Sequence, residues 1–241
     1  MNLKELQFPK YFEKQHYYKD APMFCAEGVH EGIFSSLVNY GKSRDSKIVV
    51  LGAGAGAFER RLIDNGFLNI VSVDFRLDNF KVDGPKFLEF DLNENFSNIG
   101  KFDIVIAIEV IEHLENQFNF IRCVKNIMND DAVFYLSTPN VENTFARMRY
   151  FLLGTVYWFG QSELYGTGHI SPIFKHILEF NLSNNNLKVE KYFGNINIWF
   201  KLFKNKNIFK RVAFLLMSVV SFFMKNKNNF EINLFEIVKR D

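Results

Sequence analysis

The chain is short of the residues and patterns that would point away from an ordinary globular protein. It has only two cysteines in 241 residues, Cys25 and Cys123, far apart and without a CxxC spacing. That leaves no disulfide framework and suggests free thiols of a reducing compartment. Proline is scarce, at five residues, and no stretch rich in Pro, Gly or Ser divides the chain. One domain over 1–241 is therefore expected. Charge of one sign is lacking too: the formal net charge is +2, which argues against a strongly electrostatic nucleic-acid binder. No internal repeat occurs, and Met1–Glu5 opens without the apolar core of a secretory signal, so a cytoplasmic location is expected. The apolar run Val212–Met224 is thirteen residues long and is interrupted by Ser218 and Ser221. A bilayer-spanning helix needs about 20 such residues.

Close to half of the residues are apolar, enough for a sizeable core. From residue 47 to 139, β-rich runs alternate with helical patterns, as in βαβ units of a mainly parallel sheet. Strands are predicted at 47–51, 70–74, 87–90, 102–108 and 132–137, with two more at 187–193 and 230–238. Helices are predicted at 27–40, 58–65, 112–128 and 172–182. In the 112–128 helix, Leu114, Phe118, Ile121 and Met128 would share one stripe. The segment 1–46 reads as helical in part. Its aromatics, Phe8, Tyr11, Phe12, Tyr17, Tyr18 and Phe24, are expected to pack against the sheet, with a substrate lid as the alternative.

The most informative run is Val49-Val50-Leu51-Gly52-Ala53-Gly54-Ala55-Gly56-Ala57, where an apolar strand runs through a glycine turn into a helix. Such a turn lets backbone approach a ligand closely, and the helix aims its first amides at it. Gly52, Gly54 and Ala57 fit the dinucleotide pattern GxGxxG/A, while Gly52, Gly54 and Gly56 fit the GxGxG turn of S-adenosylmethionine sites. Asp74, eighteen residues after Gly56 and followed by Phe75, can accept hydrogen bonds from a ribose diol in either case.

Residues 89–114 separate the two patterns. Glu89-Phe90-Asp91-Leu92-Asn93 and then Phe102 to Leu114, containing Glu109-Val110-Ile111-Glu112-His113, resemble the class I S-adenosylmethionine-dependent methyltransferases, particularly the ubiquinone-biosynthesis O-methyltransferase group. The resemblance covers about 47–180 and also takes in 136–140 and 168–172. It implies a Rossmann-like α/β fold with a seven-stranded, mainly parallel sheet flanked by helices; the sequence itself places a cap insertion at 141–170 after the fifth strand and a helical insertion at 199–227 before the last. It also implies that Gly52, Ala53, Gly54 and Gly56 approach the methionine part of the cofactor, that Asp74 and Phe75 meet the ribose side, Asp91 and Leu92 the adenine, and Ile108 and Glu109 the cofactor's edge. One residue departs from the pattern: Val50 stands where many members carry an acid.

Methyl transfer to an alcohol needs a group that takes the acceptor's proton, and His113 and His169 are the candidates. Glu109, Glu112, His113 and His169 together could hold a divalent metal such as Mg or Mn. This Glu-x-x-Glu-His pattern with a later His resembles the metal site of small-RNA 2′-O-methyltransferases. The expected reaction is O-methylation of a small molecule: a quinone-like or lipid-linked phenol, or a sugar or surface-glycan precursor. A metal-dependent RNA 2′-O-methyltransferase, an NAD(P)-dependent oxidoreductase and a non-catalytic cofactor-binding protein are the alternatives.

The cap is dense in aromatics, and Arg147 or Arg149 could pair with a phosphate or carboxylate. The apolar and basic segment 199–227 reads as a buried or homodimer-forming helix, or as an interfacial helix on the inner membrane face.

Overall fold

The computed structural model describes residues 16–197 and 228–240. A short hairpin, β1 (His16–Tyr18) with β2 (Ala21–Met23), precedes a single sheet of seven strands. These are β3 (Ile48–Leu51), β4 (Ile70–Asp74), β5 (Lys86–Glu89), β6 (Phe102–Ile108), β7 (Met128–Pro139), β8 (Leu187–Gly194) and β9 (Ile232–Lys239). Their order across the sheet is β5-β4-β3-β6-β7-β9-β8. Pairing is parallel from β5 to β7, while β9 runs antiparallel to both β7 and β8. The chain enters the sheet at β3, winds out to β5 and returns to β6 on the other side. The order therefore reverses beside β3, where a crevice opens above the C-terminal strand ends.

The central strands are apolar on both faces because helices cover both. Ile48 and Val50 face α1 (Val29–Tyr40) and α2 (Ala57–Asp64), packing on Val29, Ile33, Leu37, Phe58 and Leu62. Val49 and Leu51 face α3 (Gln117–Ile127) and α6 (Lys175–Asn184), with Phe120, Val124, Leu178 and Leu182 in the same cluster. A continuous apolar run such as Ile48–Leu51 marks a strand buried on both sides, and each such side chain contributes roughly 1.5–3 kcal/mol.

Several local expectations change. Residues 16–23 form the β1–β2 hairpin rather than helix. Tyr17 is exposed, Tyr18 has the Arg61 guanidinium 4.3 Å from its ring centre, and Phe24 lies against Gly54 of the glycine turn and lines a cavity with Val50 and Ile108 of the sheet. Phe8, Tyr11 and Phe12 lie outside the described residues. The helix expected from Glu112 begins at Gln117, capped by Asn116, whose side chain accepts from the Asn119 amide. Ile111–His113 is a separate 3-10 turn. The buried stripe of α3 is Phe120, Ile121, Val124 and Ile127, and Phe118 is partly exposed.

After β7, the stretch 141–170 carries α4 (Thr144–Leu153) and α5 (Gln161–Gly166). The 199–227 insertion falls outside the described residues apart from its return: the Asn140 side-chain amide donates to the carbonyls of Asn228 and Phe230, tying that point to the end of β7. Among the described residues no helix is long and apolar enough to cross a membrane.

Candidate active site

The glycine turn sits where β3 ends. Gly52, Gly54 and Gly56 have φ of 76°, 54° and 85°, left-handed values that favour glycine. The amides of Gly52 and Ala53 donate to the Val73 carbonyl. The Gly54 amide donates to Asp74 Oδ2 at 2.8 Å, and the Arg76 amide donates to Asp74 Oδ1. Asp74 thus ties the turn to the end of β4. Burial pushes its carboxyl upward, and the amides of Gly54 and Arg76 oppose that push.

Phe75 comes next, half-buried, with the Arg76 guanidinium 5.4 Å from its ring centre. At the neighbouring strand end the Phe90 amide donates to the Asp74 carbonyl, which brings Asp91 alongside. Asp91 Oδ1 accepts from the backbone and side-chain amides of Asn93, both at 3.0 Å. Leu92 is buried in the core. On the other side of the turn Ile108 closes β6 and, with Gly52, Ala53 and Gly54, lines a small cavity.

Glu109, just beyond Ile108, has a φ of 52°, uncommon for a residue with a side chain and often found where a site imposes it. Its amide donates to Ser137 Oγ, which in turn donates to Glu109 Oε1 at 2.8 Å. Glu109 is therefore held by β7, and the metal-compatible cluster consists of Glu112, His113 and His169 without it. In that cluster one ligand atom from each residue lies within 4.8 Å of the others.

The loop bearing His169 is sutured to the Glu112 turn. The amides of Ile170 and Ser171 donate to the Glu112 carbonyl, and Ser171 Oγ donates to the Leu114 carbonyl. The two imidazoles meet edge to face with ring centres 4.8 Å apart. His113 Nδ1 lies 3.1 Å from the Gly168 carbonyl and His169 Nδ1 lies 2.9 Å from the Trp158 carbonyl. A carbonyl can only accept, so a neutral His169 carries its proton at Nδ1 and keeps a lone pair at Nε2, while His113 meets the carbonyls of Gly168 and Thr167.

Electrostatics match this arrangement. Desolvation pushes His113 down to about 3, with the neighbouring His169 acting in the same direction, and it lowers His169 as well. Both are neutral imidazoles near pH 7. Desolvation drives Glu112 well above the ordinary carboxylate range, and the charge of Glu109 adds to it. Both Glu112 oxygens and the Thr138 hydroxyl are buried without a hydrogen bond of good geometry, although Thr138 is near enough to oppose the rise.

A buried acid with both oxygens unpartnered, beside two imidazoles fixed by backbone carbonyls, is a donor set suited to a divalent cation. The cap supplies aromatic walls: Trp158 and Phe159 lie 6.2 and 5.5 Å from the His169 ring, and Tyr157 packs on Phe145. Arg149 is directed to Tyr157 and to the Thr155 hydroxyl.

Three buried polar residues had no signal in the sequence. Burial raises the Glu109 carboxyl and the Tyr157 phenol, and Glu231, 1% exposed just before β9, adds to both. His30 of α1 lines the cavity beside the glycine turn. Glu59 of α2 is fully buried and accepts from the Ser72 hydroxyl at 2.9 Å. Glu59 and His30 sit at inward positions of helices that otherwise read as ordinary amphipathic elements, while Glu231 precedes a strand by one residue.

Comparison with known proteins places this arrangement. The family model described as "Methyltransferase domain" matches residues 22–192. Among curated proteins, the ubiquinone biosynthesis O-methyltransferase of Glaesserella parasuis serovar 5 is 40% identical over 40 residues, which is 17% of this chain and 17% of that protein. The match thus spans about a sixth of that relative.

Among solved structures, a chain of the Haloferax volcanii complex between the Trm112 methyltransferase activator and a methyltransferase superposes with a TM-score of 0.63 at 15% identity, covering 89% of this chain and 91% of that one. A SAM-dependent methyltransferase from Archaeoglobus fulgidus gives 0.57 at 16% identity, covering 88% and 94%. Magnesium protoporphyrin IX methyltransferase from Synechocystis PCC 6803 with bound SAH gives 0.56 at 14%, covering 87% and 81%. Identities this low speak to the fold, and the family match speaks to the kind of protein. The chain belongs to the methyltransferase-domain family, and its seven-stranded, mainly parallel sheet flanked by helices has a Rossmann-like arrangement.

Proposed function

We propose that this protein transfers the methyl group of S-adenosylmethionine to an oxygen of a small acceptor, a quinone-like or lipid-linked phenol or a sugar precursor. The observation that carries the reading is the pair of neutral imidazoles, His113 and His169, under an aromatic cap and beside the end of β6. Gly52, Ala53, Gly54 and Gly56 take the methionine part, Asp74 and Phe75 the ribose side, Asp91 and Leu92 the adenine side, and Ile108 and Glu109 the edge toward the acceptor. Bound there, S-adenosylmethionine supplies an electrophilic methyl on a sulfonium. His169, with His113 against it, would take the acceptor's proton at Nε2 as the oxygen–methyl bond forms and the sulfur–methyl bond breaks, the electron pair staying on sulfur. Tyr157, Trp158 and Phe159 form an apolar wall suited to a ring-bearing acceptor.

As the alternative to a base role for His169, Glu112, His113 and His169 fit a divalent metal, Mg or Mn, which would occupy the His169 Nε2 lone pair and itself lower the acceptor's pKa and orient it. The same trio favours a second reading, an RNA 2′-O-methyltransferase, which the near-balanced net charge of +2 does not support. The family match sets the nicotinamide reading aside. A cytoplasmic single domain with peripheral membrane or homodimer contact through 199–227 completes the proposal. Flotation with anionic liposomes tests the membrane part, and failure to float at low salt would end it.

Calorimetry should show binding of S-adenosylhomocysteine and none of NADH; binding of NADH alone would overturn the cofactor assignment. Methyl-donor consumption across phenols, nucleotide sugars, lipid extracts and short RNAs, with and without Mg²⁺ or Mn²⁺, identifies the acceptor. Turnover of RNA alone would replace the first reading by the second. His169→Gln is expected to keep S-adenosylhomocysteine affinity while turnover drops by about 10²–10⁴, the usual worth of a general base. Near-normal turnover would remove His169 from the mechanism.

A further inference from the structure

A small cavity of about 40 Å³ opens beside the glycine turn. Its walls come from β3 (Val50), the turn (Gly52 and Gly54), α2 (Phe58), the end of β6 (Ile108) and the segment 22–25. Nearly all of that wall is apolar, and strand β3 offers it a valine rather than an acid. The Cys25 thiol lies on it, but burial raises its pKa far above neutrality and it stays protonated, a weak acceptor. The strong polar side chain on the wall is His30. It is 5% exposed, and its Nδ1 is buried without a hydrogen-bond partner.

An unpartnered imidazole nitrogen in an apolar wall costs about 1–3 kcal/mol unless something binds to it. The Phe58 ring packs against it edge-on, with ring centres 5.1 Å apart, which fixes the imidazole plane.

The place of the cavity indicates what that partner is. Asp74 ends β4, on one side of the turn, and the cavity lies on the other side, toward β6 and α1. If the ribose sits at Asp74, as the proposed function has it, the part of the cofactor that crosses the turn is the amino-acid tail. We infer that His30 is the acceptor for the ammonium group of the cofactor's methionine tail, a role that on this wall no carboxylate fills. The inference rests on the cofactor reading above. His30 is a binding residue here, remote from the reacting methyl. Desolvation holds its pKa down to about 3, so that it presents a neutral, accepting imidazole at physiological pH.

The test compares S-adenosylhomocysteine with its deaminated analogue, which keeps the nucleoside and the carboxylate and lacks the ammonium. The wild-type protein should bind S-adenosylhomocysteine about tenfold or more tightly than the analogue, as for a hydrogen bond to a charged group. In His30→Leu that gap should close, with affinity for the analogue unchanged. In the wild-type protein the imidazole nitrogen resonances of His30 should shift on adding S-adenosylhomocysteine and not on adding the analogue, a readout that needs no variant to fold. A gap of equal size in both proteins, equal loss of both ligands in His30→Leu, or resonances that do not move would each overturn the assignment. Failure of the wild-type protein to bind either ligand would instead bring down the cofactor reading on which it rests.

Discussion

Gly52→Ala is expected to destabilise the protein by about 2–5 kcal/mol and to abolish binding of S-adenosylhomocysteine. A β-carbon at position 52 would lie 2.3 Å from Val110 Cγ2, and the backbone there has φ of 76°. The left-handed conformation alone costs a residue with a side chain roughly 1–2 kcal/mol, and forcing a methyl into a filled space adds roughly 1–3 kcal/mol. Val110 cannot swing aside at low cost, because it is β-branched, 8% exposed and part of the core next to Glu109. Relief must come from the turn, and moving the turn breaks the Gly52 and Ala53 bonds to Val73 and the Gly54 bond to Asp74.

Gly41→Ala is the matched control. It has φ of 81° and nothing within 4 Å of the added carbon, so it carries the conformational cost without the clash. Urea denaturation of both variants separates the two contributions. Equal losses would show that the Gly52–Val110 contact imposes nothing on the turn. Gly52→Ala with Val110→Ala should recover part of the stability, since the two changes share one contact.

The sheet was legible in the sequence because its central strands are buried on both faces. Ile48–Leu51 and Ile104–Ile108 had to be unbroken apolar runs, and they end at the turn and at Glu109. The hairpin at 16–23 escaped because each strand is three residues long and paired only with the other, too short for a period-2 pattern to stand out. The start of α3 shifted because Ile111–His113 is held by a contact some fifty residues away, the Ile170 and Ser171 amides on the Glu112 carbonyl, which no local pattern carries.

The site divides in the same way. His113 and His169 could be paired from their residue types, and the structure brings their rings together. Glu109, just past a strand, and Glu112, at the start of the expected helix, read with the two histidines as one donor set. The left-handed backbone at Glu109 sends it instead to Ser137 and leaves Glu112 with the imidazoles. His30, Glu59 and Glu231 matter because of what surrounds them in space, and sequence spacing has no term for an unpartnered atom in a cavity.

Glu59→Gln should stabilise the protein increasingly as pH rises from 5 to 8.5. Glu59 is fully buried under the sheet's α2 face, one oxygen accepting from Ser72 and the other without a partner. Burial pushes its carboxyl up to about 8, with Asp74 acting the same way and the Ser72 bond opposing. Below the ordinary glutamate value near 4.3 the group is protonated in both the folded and the unfolded chain. Between there and about 8 the unfolded chain has released the proton that the folded chain retains. Stability therefore falls with rising pH across that window, and above it the penalty is constant.

At about 1.4 kcal/mol per pKa unit the full penalty is at most about 5 kcal/mol, and relaxation around the charge reduces it. Gln keeps an oxygen for Ser72 and has no proton to lose, so the variant loses this slope. The other buried acids, Glu109 and Glu112, contribute to both proteins and cancel in the difference. Chemical denaturation of the two proteins at pH 5, 6.5 and 8.5 should give a stability gap that widens by roughly 2–4 kcal/mol over the series. A gap that stays flat with pH would mean that Glu59 is ionised throughout, with water or a neighbour satisfying the oxygen that stands unpartnered, and the space beneath Asp74 would then be polar rather than dry.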